Sequence, residues 1–222
     1  MVITNFISIF VISISSVLNN IFMTDFLPQL PGYRVSDYQI ILNPHEDLRN
    51  KILHIKQDFG EHYHMNLYKG KPHITLVRFK AWEMMEEKII NHLKMIAMGL
   101  PPFKLHLKDY GSLPTHTIHI KVESQIPIYQ IQVALRSMKR LMKVPDHDPH
   151  FLNEPFIPIA QKLPSDVFEK AWPEYQHKHF TGHFIADNML LLKKREGSLA
   201  FQIAERLPFM NLPVSVKQGD LF

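Results

Sequence analysis

An α+β fold in two related lobes, each an antiparallel sheet with helices packed outside, is what this chain predicts. Strand-like and helix-like periodicities follow one another as β-α-β-α-β-β-α-β, and two strands in succession break a strict parallel crossover series. Apolar residues make up 45% of 222 residues, enough for one sizeable core or for two small lobes. No period of 20–50 residues repeats, which argues against a solenoid.

The elements are justified in order. Asp37 to Leu42 is a short buried-strand candidate closed by Asn43-Pro44. His45 to Phe59 carries Leu48, Ile52 and Ile55 at i, i+4, i+7, the spacing of a helix face. Lys71 to Phe79 reads as a strand. Trp82 to Met98 places Met85, Ile89, Ile90, Leu93 and Ile96 on one side of a helix that Gly99 and Pro101-Pro102 stop. Strands from Phe103 to Tyr110 and His116 to Val122 flank a Gly-Ser-Leu-Pro turn. Ile128 to Met142 is a third helix, carrying Ile131, Leu135, Met138 and Met142. Further on, Phe168, Trp172 and Tyr175 suggest a short helix that Pro173 kinks. Phe184 to Leu192 reads as one buried strand, and Leu199 to Phe209 as a last strand pairing with it across Glu196-Gly197.

Met1 to Phe22 contains no charged residue. Three readings of it stay open: a start placed too early, with Met23-Thr24-Asp25 as the true beginning; a membrane anchor; or a cleaved signal. Residues 23–222 are then expected to form a single bilobal domain. The chain has no cysteine, so it has neither a disulfide framework nor a thiolate metal site. This agrees with a cytoplasmic protein, with anchoring by residues 1–22 open. A net charge of +4 permits a nucleic-acid or nucleotide ligand without demanding one. The 14 histidines include no His-Glu-x-x-His and no ligand spacing of a metal site, so no metal and no cofactor are expected. A monomer with no obligate protein partner is expected.

The chemistry concentrates in Lys71-Pro72-His73-Ile74-Thr75-Leu76-Val77-Arg78-Phe79. On a strand His73, Thr75 and Val77 share a face, which sets a titratable imidazole beside a hydroxyl, a pair suited to a phosphate oxygen. Asp146-His147-Asp148-Pro149-His150 is a polar loop whose His147 and His150 are candidate substrate contacts.

The segment Pro-His73-Ile-Thr75-Leu-x-Arg78 resembles the first His-x-Thr motif of the 2H phosphoesterase superfamily, and of its bacterial 2'-5' RNA ligases in particular. The strand pair Phe103–Pro114 and His116–Val122 is similar to the one between that family's two motifs. Glu154-Pro155-Phe156-Ile157-Pro158-Ile159-Ala160-Gln161-Lys162-Leu163 then stands where the family carries Pro-His-x-Thr-Ile-Ala-Arg. The resemblance spans roughly 37–209. It implies two His-x-Thr pairs converging on one phosphate, one His taking a proton from the attacking oxygen and the other giving one to the leaving oxygen, with the Thr hydroxyls on non-bridging oxygens. His73 and Thr75 are thereby the candidate catalytic residues, and Arg78, His150 and Lys162 the candidate substrate contacts.

The second motif departs from the pattern: Phe156 stands for the His, Pro158 for the Thr and Gln161 for the Arg, while the apolar frame Ile157, Ile159 and Ala160 survives. Two alternatives stay open, a different register and the literal His179-Phe180-Thr181. Two functional readings follow. One is a 2'-5' RNA ligase or cyclic phosphodiesterase acting on RNA or nucleotide phosphodiesters, with catalysis weak or lost. The other is a non-catalytic nucleotide- or RNA-binding protein that uses the surviving half-site.

Overall fold

The computed structural model describes residues 33–67 and 70–213, so the apolar stretch 1–22 lies outside the described residues. Among the described residues nine strands sort into two antiparallel sheets, and four helices cover one face of each. None of these helices is long and apolar enough to cross a membrane. The strands are β1 Val35–Leu42, β2 Ile74–Trp82, β3 Phe103–Leu113, β4 Thr117–Val122, β5 His150–Phe151, β6 Phe156–Ala160, β7 Thr181–Ala186, β8 Asn188–Lys194 and β9 Gln202–Pro208. The helices are α1 Glu46–His62, α2 Glu86–Gly99, α3 Gln125–Arg136 and α4 Ser165–Tyr175. The first sheet has the order β5-β2-β1-β8-β9 and the second β6-β4-β3-β7.

Packing follows the alternation of the strands. In the second sheet Leu105, Leu107, Ile118, Ile120, Ile157 and Ile159 point to the helix side and are almost fully buried. There they join Leu48, Ile52 and Phe59 of α1 and Ala171 and Tyr175 of α4 in one core. The first sheet sends Tyr38, Ile40, Val77, Phe79 and Leu191 into the same core, met by Ile89 and Leu93 of α2 and by Ile131 and Leu135 of α3. Its other face holds a separate small cluster of Ile41, Leu190, Leu192 and Phe201. Among the described residues each sheet therefore keeps one face free of helices.

Three elements differ from the sequence reading. The helix expected over 128–142 begins at Gln125, with Pro127 in its first turn where a missing N–H costs nothing, and it stops at Arg136. A short 3-10 turn at Lys139–Met142 then keeps Met138 and Met142 in the core. The apolar run 184–192 is two strands, because the chain leaves the second sheet at Ala186 and enters the first at Asn188. Gly197 takes a φ of +76° in the turn joining β8 to β9, a conformation that glycine adopts without a Cβ penalty.

The third difference lies in β2. Ile40 pairs with Val77 and Ile41 with Thr75, so Leu76 is an extra residue in the ladder, a bulge. Neighbouring residues on β1 face opposite ways, so Thr75 and Val77 do too, contrary to the shared face expected from simple alternation. The bulge is pinned from α3. The buried Gln132 donates from Nε2 to the carbonyls of Leu76 and Leu152, and Leu152 N–H itself donates to Leu76 O at 3.1 Å. Gln132→Leu takes this donor from the buried Leu76 carbonyl and the part-buried Leu152 carbonyl and should cost about 1–3 kcal/mol of stability in a urea titration. An unchanged urea midpoint would show that the bulge holds itself.

Candidate functional site

His73 sits one residue ahead of β2, half-buried after the buried Pro72. Its Nδ1–H donates to Lys71 O at 2.8 Å. A carbonyl only accepts, so this contact fixes the tautomer and leaves Nε2 as a free acceptor. Burial holds the imidazole below its usual pKa; the Lys71 contact opposes this, while the charges of Arg78 and Lys56 reinforce it. His73 is thus neutral at pH 7 and suited to take a proton through Nε2.

Thr75, 4% exposed, lies opposite Ile41, and Arg78 lies opposite Gln39. Ile41 and Gln39 share a face, so the bulge that separates Thr75 from Val77 aligns it with Arg78. His150 on β5 pairs directly with Arg78. Thr75, Arg78 and His150 accordingly share the helix-free face of the first sheet, where Arg78, Lys80, His147 and Lys194 line a hollow of about 350 Å³. Lys162 follows β6 in a left-handed conformation with φ 53°, exposed, beside a turn where Leu163 N–H donates to His116 O.

The segment that the resemblance aligns with the second motif forms β6. Ile157, Ile159 and Ala160 are buried toward the helices, while Phe156 and Pro158 are half-buried on the open face. Pro158 is tolerated because β6 is an edge strand and is bulged right after it, at Ile159. β6 and β2 run into contact where the two sheets meet. His179 and Thr181, by contrast, start the far edge of the second sheet beyond β4 and β3. His179 is 90% exposed and lies 3.3 Å from Asp109 Oδ1.

One residue escaped the sequence reading. His119 on β4 pairs with Pro158, and its ring centroid is 4.6 Å from that of Phe156. It is 8% exposed, and its Nδ1 is buried without a hydrogen-bond partner. Burial, and secondarily the charge of Lys121, push its pKa down to about 4. Gly111 on β3 makes room for it, since a Cβ there would stand 2.6 Å from His119 Nε2. Gly111, His119, Lys121, Glu154 and Phe156 help line a cavity of about 590 Å³. The signal was available: Ile118, Ile120 and Val122 alternate, which sends Thr117, His119 and Lys121 to the other face.

Solved structures share this architecture. TT0787 of Thermus thermophilus aligns with a TM-score of 0.59 at 14% identity, over 78% of this chain and 98% of that one. E. coli LigT complexed with 3'-AMP aligns with a TM-score of 0.62 at 14% identity, over 79% and 99%, and its complex with ATP at 0.58, 14%, 79% and 99%. No curated protein matches the chain. The two-sheet fold is that of the 2H phosphoesterases. A family model described as the 2'-5' RNA ligase superfamily matches residues 43–198, and the chain belongs to that family.

Proposed function

We propose that this protein binds RNA or nucleotide phosphodiesters through His73 and Thr75, and that its catalysis is weak or lost. One observation supports the reading: the open face of β6 carries Phe156 and Pro158, the residues that the resemblance aligns with the His and the Thr of the family motif. With Phe156 there, one of two proton-transfer groups is missing, and each such group is worth about 10²–10⁴-fold. Neighbouring His119 is no replacement as an acid. With a pKa of about 4, roughly one molecule in a thousand carries the proton at pH 7. LigT structures hold 3'-AMP and ATP, which supports a nucleotide as the ligand class here.

The test compares the purified protein with its His73→Ala variant on a 2',3'-cyclic nucleotide. Hydrolysis is expected to be no faster in the parent, whereas binding of a nucleotide monophosphate should weaken in the variant. Robust turnover abolished by His73→Ala would overturn the loss of catalysis.

A further inference from the structure

The open face of the second sheet carries a pattern that one phosphate site does not require. Along β3, Leu105 and Leu107 point to the helices while Lys104, His106 and Lys108 point out and are exposed. On β7, His183 lies opposite His106, with ring centroids 6.0 Å apart, and is exposed beside the exposed Ile185. β4 adds the exposed Lys121, and the row ends at His119 and Phe156 beside the 590 Å³ cavity. We propose that this face is a track for single-stranded RNA, with a base stacked on Phe156 against His119 and the backbone carried by Lys121, Lys108, His106 and Lys104. The proposal rests on the half-site reading above, for it extends the strand whose phosphate would lie at His73.

Charge, spacing and shape support it. Of the carboxylates beside this face, Glu123 pairs with Lys108 at 3.6 Å, Asp109 accepts from Phe180 N–H and contacts His179, and Glu154 stands at the cavity next to Phe156. Among the described residues Lys104 and Lys121 have no ion-pair partner, so two cations stand ready for phosphates. Alternate residues of a strand lie about 7 Å apart, comparable to the step between successive phosphates of an extended chain. A cavity of this volume is in the range that encloses small ligands. Its half-buried aromatic wall offers the sequence-tolerant stacking that single-strand binders use. A groove for an acidic peptide would have no use for that slot at its end.

Fluorescence anisotropy with end-labelled hexauridylate, competed by uridine 3'-monophosphate, across a salt series tests this. The hexamer should bind at least about tenfold tighter than the monophosphate, because it occupies several cations. Lys104→Gln with Lys121→Gln should reduce the salt slope by about 1.4, two contacts at roughly 0.7 each. Phe156→Ala should weaken the hexamer by about 5- to 150-fold. Phe156→Trp should retain binding, with its indole fluorescence quenched by the stacked base. Equal affinity for hexamer and monophosphate, an unchanged salt slope, or full affinity in Phe156→Ala would each overturn the track. A His73→Ala arm separates the two readings. If it alone loses both probes, the half-site stands and the track falls. If it binds the hexamer like the parent while the lysine and Phe156 variants do not, the track stands and the half-site falls.

Discussion

Phe156→His, Pro158→Thr and Gln161→Arg introduced together should raise hydrolysis of a 2',3'-cyclic nucleotide by about 10²-fold or more over the parent. The expectation comes from how little else has to move. β6 is already a strand, its apolar residues already face the helices, and positions 156 and 158 already share the open face. Pro158 is the critical change, because it lacks a backbone donor and brings no hydroxyl. Phe156→His alone should show no gain, since an imidazole would arrive without the hydroxyl that positions the phosphate, and groups acting as a unit fail together. The imidazole would also take the place of the ring packed on His119, 4.6 Å away. It would therefore titrate in a half-buried site, and turnover should be measured across pH 5–8. The same triple change removes the proposed stacking ring, so hexauridylate binding should weaken as cyclic-phosphate turnover appears. A folded triple variant that binds nucleotide yet gains nothing would mean that the family pattern has been applied too literally to β6.

Much of the fold is legible in the chain itself. The apolar frame Ile157-x-Ile159-Ala160 fixes which face Phe156 and Pro158 take, because a strand slipped by one residue would bury Pro158 and expose two isoleucines. What could not be read depended on contacts distant in sequence. The β2 bulge needs Gln132, 56 residues beyond Leu76, to hold the spare carbonyl. Periodicity alone therefore put Thr75 with Val77 rather than with Arg78. The run 184–192 hides a change of sheet, because Phe184, Ala186, Met189 and Leu191 are buried in the same core on both sides of the step at Asp187. His119 belongs to none of the motifs, and its partners, Gly111 and Phe156, lie on two other strands.

His119 should make the fold acid-sensitive well above the range where carboxylates titrate. Its ring is closed in by the Gly111 backbone on β3, Phe156 on β6 and the charge of Lys121 on its own strand, and its Nδ1 meets no acceptor. A proton added at Nδ1 would find no acceptor, and burial, with the charge of Lys121 beside it, lowers the pKa to about 4 from an ordinary 6.5. Between those values the unfolded chain holds a proton that the folded one refuses, so stability rises with pH across the window. The contribution is fully present above pH 6.5, shrinks by about 2 kcal/mol at pH 5 and by about 3 kcal/mol once the pH passes below 4. His73, also lowered by burial, acts in the same direction. Urea unfolding at pH 7 and pH 5 checks this against His119→Phe, which keeps an aromatic ring against Phe156 and cannot titrate. The parent should lose about 2 kcal/mol more than the variant over that interval. Equal losses in the two proteins would place His119 in contact with water or an acceptor, and its neutral, enclosed state beside Phe156 would have to be abandoned.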